Sequence, residues 1–141
     1  MSFNPIILPL LTMVFLTFAV WIYLYALRIP EINRMKIDPD DLQDRAEAHK
    51  LLTVSADASN NLKNLFEVPI LFYVAALLAI VLLIQDVLLI RLAWGFVILR
   101  IVHSAVHCTF NHVMLRFYLY LISALAVWFM LGRAALEYLG G

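Results

Sequence analysis

The chain predicts an all-α integral membrane protein, a four-helix up-down bundle. Three observations carry that expectation. Of its 141 residues, 65% are hydrophobic and only 14% are charged, whereas a water-soluble domain carries about a quarter charged residues. The apolar residues collect in four stretches, each close to the roughly 20 residues that cross a bilayer. Polar residues inside those stretches gather towards one membrane face once the helices alternate in direction.

The spans are expected at about 5–28, 60–85, 91–111 and 113–137, in one domain over residues 1–141 with a cytoplasmic loop at 29–59. The first holds 23 uncharged residues from Pro5 to Leu27, and no small-residue cleavage pattern follows. That is longer than the apolar core of a secretory signal, so the stretch reads as a retained anchor. Val68 to Gln85 is free of charge and, with the turn before it, supplies the second span. Arg100 and its histidines interrupt the third, and Phe117 to Gly132 forms the uncharged part of the fourth. The short connection at Asn111-His112 makes spans three and four a tight antiparallel pair. In the loop, Asp38-Pro39-Asp40-Asp41 is a helix-start signal, with an Asp cap, an early proline and acids near the positive end of the dipole. The alternating charges that follow read as a solvated face.

Basic residues orient the bundle. Arg28, Arg34, Lys36, Arg45, Lys50, Lys63 and Arg116 lie on the long-loop side, against Arg91 and Arg133 opposite. The loop is therefore expected in the cytoplasm and both termini outside, in the plasma (inner) membrane. A formal net charge of zero gives no case for a nucleic-acid partner. With Cys108 the single cysteine, no intramolecular disulfide can form.

The polar residues suggest a site. Arg28 closes the first stretch, while Asn60, Lys63, Asn64 and Glu67 open the second. Arg100, His103 and His107 occupy the far half of the third, and Arg116 and Tyr120 open the fourth. At about 100° per residue, Arg100, His103, Ser104, His107 and Asn111 share one arc of their helix. Ionisable groups at membrane depth are costly and usually line a cavity or polar path. Glu67 reads as the one acid facing Arg28, Lys63, Arg100 and Arg116. Such a surplus of cations points to an anionic ligand whose carboxylates the arginines grip in bidentate fashion.

The plainer alternative is helix–helix glue, in which Glu67 neutralises Arg100 and the asparagines clamp backbones. A pore is a third reading, but Ala75 to Ile84 and Leu121 to Leu131 offer little polarity for the far leaflet. His103 and His107 have the i, i+4 spacing of a metal pair. With no second carboxylate ligand evident, they read as hydrogen-bonding core histidines, and no metal is assigned. Cys108 reads as packing.

On these residues the chain resembles the membrane-associated proteins in eicosanoid and glutathione metabolism, the MAPEG family. Asn64-Leu65-Phe66-Glu67-Val68-Pro69 looks like the family's N-x-x-E followed closely by proline. Arg100-Ile101-Val102-His103-Ser104 is similar to the R-x-x-H-[ST] of its prostaglandin E synthase branch, and Arg116 with Tyr120 resembles the opening of its fourth helix. The resemblance implies a homotrimer that holds glutathione in a cytoplasm-facing cleft, among membrane lipids that deliver a small apolar substrate. It carries Arg28, Asn64, Glu67, Arg100, His103 and Tyr120 over as glutathione contacts, with Asn60, Lys63 and His107 completing the binding set. Glu67 would hold the ligand's amino group, the arginines its carboxylates, and Arg116 would lower the thiol pKa as the catalytic residue. Asn60 stands where many members have arginine, and His107 where they often have tyrosine. The implied activity is a transferase or peroxidase acting on apolar electrophiles or lipid hydroperoxides. The alternative is a non-catalytic binding or scaffold protein with a cleft for a lipid headgroup, since fold alone does not confer activity.

Overall fold

A computed structural model describes residues 4–140. Its elements are α1 (Ile7–Met35), a 3-10 turn (Pro39–Leu42), α2 (Arg45–Leu51), α3 (Ala56–Leu65), α4 (Val68–Val81), α5 (Val87–Cys108) and α6 (Val113–Gly140). The described residues contain no strand, and the architecture is all-α as expected. Four segments are long and apolar enough to cross a membrane: Ile7–Met35, Ala56–Val81, Val87–Cys108 and Val113–Gly140.

Two prolines shape these segments differently. Pro30 lies inside α1, which runs on to Met35 rather than closing at Arg28. A proline within a helix removes one backbone bond and bends the chain; here the following turns still close, and Lys36 ends the helix in a left-handed conformation. Pro69 does interrupt. It occupies the first turn of α4, and Phe66 and Glu67 before it leave helical geometry, so the second segment is two helices, α3 and α4, where one was expected. In a continuous helix the Pro69 nitrogen would face the Leu65 carbonyl, where it has no N–H to donate and its ring clashes, so the helix ends at Leu65 and restarts at Val68.

Acidic caps start the shorter elements. The Asp38 carboxylate accepts from the Asp40 amide, and the Asp44 carboxylate accepts from the Ala46 amide at 2.6 Å. The loop thus enters a 3-10 turn and the short α2 before α3 begins. Not all its neighbouring charges are solvated. Glu31, one turn beyond Arg28, is buried and accepts the Val54 and Ser55 amides at 2.6 and 3.0 Å. That contact pins the chain leading into α3 against the end of α1.

The bundle's middle is apolar. Phe72 of α4 stacks on Phe96 of α5 with ring centroids 4.6 Å apart, and Met13, Leu89, Val97, Val127 and Met130 pack around the pair. Ala75, Ala76 and Ala79 are buried on α4, where small side chains let neighbouring backbones come close. The outward faces carry Phe15, Phe18, Trp128 and Phe129, more than half exposed in the single chain, as a lipid-facing surface requires.

The two ends of the bundle differ. The α5 helix has 22 residues, so its ends stand about 33 Å apart. At its start, Asp86 accepts the Leu88 amide at 3.1 Å and the Arg133 Nε at 2.6 Å, while Arg133 Nη2 reaches Glu137 at 2.6 Å. At its far end lie Arg100, His103, His107 and Arg116.

The Arg133 hydrogen bond holds the Asp86 carboxyl below the ordinary carboxylate range. A carboxyl with a depressed folded pKa contributes stability that is fully present above its unfolded value, about 4, and is lost as pH falls through the folded value. Asp86→Asn keeps an N-capping side chain and removes only the charge. It is expected to lower the melting temperature in detergent by a few degrees at neutral pH, with the gap to wild type closing below about pH 4.

Candidate functional site

The site begins at the helix break. Where α3 stops, the Asn64 carbonyl loses the amide that would satisfy it in a continuous helix. Arg100 of α5 replaces that amide, its Nη2 donating to the Asn64 carbonyl at 2.7 Å. The Arg100 side chain is 0% exposed, and its Nε and Nη1 have no hydrogen-bond partner among the described residues. Glu67 is exposed and does not pair with it, so the neutralising contact expected of the helix-glue reading is not formed. The guanidinium carbon instead sits 5.8 Å from the centroid of the Tyr120 ring, within the range of a cation–π contact.

His103 and His107 extend this cluster along α5. Both are 2% exposed, and the Nδ1 of each lacks a partner among the described residues. Their ring centroids are 5.6 Å apart, and the His103 ring lies 6.5 Å from Tyr120. Buried polar atoms are bonded in the great majority of proteins, so four such nitrogens in one place call for a specific explanation.

The α3 helix presents two different polar faces. Asp57, Asn61 and Asn64 follow i, i+4, i+7 and meet α5. Asn61 donates to Cys108 Sγ at 3.3 Å and accepts from the Ser104 hydroxyl at 3.3 Å. Asp57 accepts from Asn111 Nδ2 at 2.7 Å, and the Asn111 carbonyl oxygen in turn accepts from Arg116 Nη1. Ala56, Ser59 and Lys63 lie about 130° around the helix, at 100° per residue. With Arg28 of α1 and Arg45 and His49 of α2 they line a hollow of about 430 Å³ that takes no residue from α5 or α6. Arg28 Nε is 3.4 Å from the Ser55 hydroxyl at its edge.

The predicted residues are therefore divided. Arg100, His103, His107, Arg116, Tyr120 and the Asn64 backbone form one group. Arg28 and Lys63 belong to the hollow, and Asn60, half-buried, lies on the arc of α3 between the two. Glu67 stands in the break. It is not the one acid at this end, because Asp57 and Glu31 are there too, each engaged by amide donors. Sequence reasoning missed Asp57, Asn61, Arg45 and His49. The signal for the first two was their spacing from Asn64. Arg45 and His49 carried none, since only the fold of the loop brings α2 against α1 and α3.

No curated protein and no solved structure matches the chain. A family model does match, over residues 6–136. The four apolar helices, the break after Asn64-Leu65-Phe66-Glu67 and the Arg100–His103 pair all fall within that match, and the chain is an integral membrane protein that belongs to the MAPEG family.

Proposed function

We propose that the protein is a membrane-bound, glutathione-dependent transferase or peroxidase acting on apolar electrophiles or lipid hydroperoxides. The MAPEG family includes such enzymes as well as non-catalytic members. The observation that favours binding of an anion is the Arg100 guanidinium, buried with two nitrogens unpartnered. An uncompensated buried charge costs about 3–5 kcal/mol, and a ligand carboxylate bound against it offsets that cost. Glutathione offers two carboxylates, an ammonium and a thiol. In this reading Arg28 and Arg100 hold carboxylates, exposed Glu67 takes the ammonium, and Asn60, Lys63, Asn64, His103, His107 and Tyr120 complete the binding set.

Arg116 stands beside the sulfur, where a cation favours the thiolate. The thiolate attacks an electrophilic carbon, a C–S bond forms, and the leaving group departs with its electron pair. With a hydroperoxide, sulfur attacks the terminal oxygen and the O–O bond breaks, leaving an alcohol and a sulfenic acid. A second glutathione reduces that acid to the disulfide and water. The apolar substrate arrives from the bilayer between helices.

The division of the cations supports a homotrimer. The hollow with Arg28 and Lys63 and the cluster around Arg100 lie on different faces of α3, so one small ligand reaches both where one copy's hollow meets its neighbour's α5–α6 face. The excess of lysine and arginine on the long-loop side favours a site facing the cytoplasm, with both termini outside.

Calorimetry on the solubilised protein is expected to show glutathione binding in wild type and none in Arg100→Met. The melting temperature of that variant should not fall, because an apolar side chain of similar volume removes an unpaired charge. A fall of several degrees with binding intact would identify Arg100 as a structural strut. Arg116→Ala is expected to lower turnover on a panel of electrophiles by roughly a hundredfold or more, the size of effect seen when a group that stabilises developing negative charge is removed, with trimer assembly unchanged. Absence of glutathione binding in wild type would assign the cleft to another anion, such as a lipid headgroup.

A further inference from the structure

Arg116 is the residue to which the proposed chemistry gives the sulfur, and it is not free to move. Its Nη1 donates to the Asn111 carbonyl oxygen, and Asn111 Nδ2 donates to Asp57 at 2.7 Å. Three elements meet in this chain: α3, the α5–α6 turn and the first turn of α6. A carboxamide has a donor end and an acceptor end of nearly equal shape, so its orientation is set by its partners. Here one partner, the guanidinium, only donates and the other, the carboxylate, only accepts. A flipped Asn111 would face donor to donor and acceptor to acceptor, so a single orientation is stable. Asn111 itself is held in the left-handed region at φ 48°, with its amide donating to the Val106 carbonyl at 2.9 Å.

We infer that Asp57 and Asn111 are positioning residues for Arg116, with the Asn111 amide interposed so that the guanidinium is fixed without direct neutralisation by a carboxylate. This rests on the reading of Arg116 as the group beside the glutathione sulfur. A direct Asp–Arg pair would fix the side chain as well, but would cancel the charge that stabilises a thiolate. An amide link keeps the carboxylate one side chain further away. The other titratable groups around Arg116 are His103 and His107 on α5, within electrostatic reach, with His112 one turn before it and Tyr120 one turn after.

Restraint and charge act on the ligand in opposite directions. Deleting Asp57 removes a negative charge, which by itself would increase the thiolate fraction of bound glutathione. Releasing Arg116 from its place decreases it. The test measures the ultraviolet absorbance of bound thiolate and turnover, both at saturating glutathione, in Asp57→Ala, Asp57→Asn, Asn111→Gly and the Asp57→Ala/Asn111→Gly double variant. Glycine suits the left-handed backbone at position 111, and Asp57→Asn retains an acceptor for the Asn111 amide. Asp57→Ala and Asn111→Gly are each expected to lower thiolate and turnover about tenfold, since small displacements of a catalytic group cost about that much or more. The double variant should be no worse than either single, as for two links of one chain, and Asp57→Asn should restore most of the signal. An increase in thiolate in Asp57→Ala, additive single effects, or no recovery in Asp57→Asn would overturn the inference.

A second readout needs no glutathione. Modification of Arg116 by a dicarbonyl reagent, mapped by mass spectrometry, is expected to be faster in Asp57→Ala and Asn111→Gly than in wild type. Equal rates would overturn the inference. Faster labelling in a protein whose wild type forms no bound thiolate would leave the restraint standing and refute the glutathione reading instead.

Discussion

The hydrogen bond from Arg100 to the Asn64 carbonyl is the contact on which the architecture of the long-loop end depends. It exists because Pro69 interrupts the second segment: a helix continuing through Glu67 would satisfy that carbonyl internally and leave nothing for a side chain to reach. The break in turn leaves Glu67 exposed between α3 and α4. One proline therefore sets the depth of the arginine and the place of the acid. The arginine remains incompletely bonded because its remaining surroundings are the Tyr120 ring and two histidines, none of which satisfies its two unpartnered nitrogens. A bundle selected only for stability would fill that place with an apolar side chain, at no cost or a gain.

At the opposite end the chain balances its charges internally. Asp86 caps α5 and receives Arg133, which also reaches Glu137. Two acids thus share one arginine within a short stretch. Between the ends, Phe72, Phe96, Val127 and Met130 form an apolar middle without a polar stripe. The buried charge of the Arg100 end does not continue through this apolar middle to the Asp86–Arg133 end, which is not the pattern of a channel through the membrane.

Much of this was legible in the sequence for definite reasons. The four apolar stretches are visible because lipid imposes length and composition together. Arg100, His103 and His107 stand out because ionisable residues are rare in such stretches and their spacing keeps them on one helix face. The Pro69 break was written in the residue type but was read as part of a motif and not as a gap between helices. Glu31 and Asp57 were hidden for a different reason. Both sit among loop charges that look solvated in a linear reading, and only the return of the loop against α1 and α5 shows that they accept from amide donors of neighbouring segments. The split between the Arg28 hollow and the Arg100 cluster was also out of reach, because it depends on which neighbour each face of α3 meets. An i, i+3, i+7 set and an i, i+4, i+7 set overlap along the chain and separate only around the helix.

Arg116 violates a local rule in the same direction as Arg100. It lies in the first turn of α6, at the positive end of the helix dipole, where a cation costs about 0.3–1 kcal/mol and an anion gains as much. The His112 ring nitrogen accepts the Leu115 amide at 3.2 Å, so this end of the helix is already partly capped and does not need a basic residue for that purpose. Asn111 and Asp57 hold the guanidinium where its own helix disfavours it. Local preferences broken in this way mark places where function, and not folding, chose the residue. Two such places here involve arginines, on adjacent helices and at the same end of the bundle, and binding of one anionic ligand would relieve both. In the proposed reading, a ligand carboxylate would meet the unpartnered nitrogens of Arg100, and the thiolate of the same ligand would turn the dipole of α6 from a penalty into a contribution. That shared relief is the physical reason to regard the cluster as one anion site and not as two unrelated irregularities of a membrane helix pair.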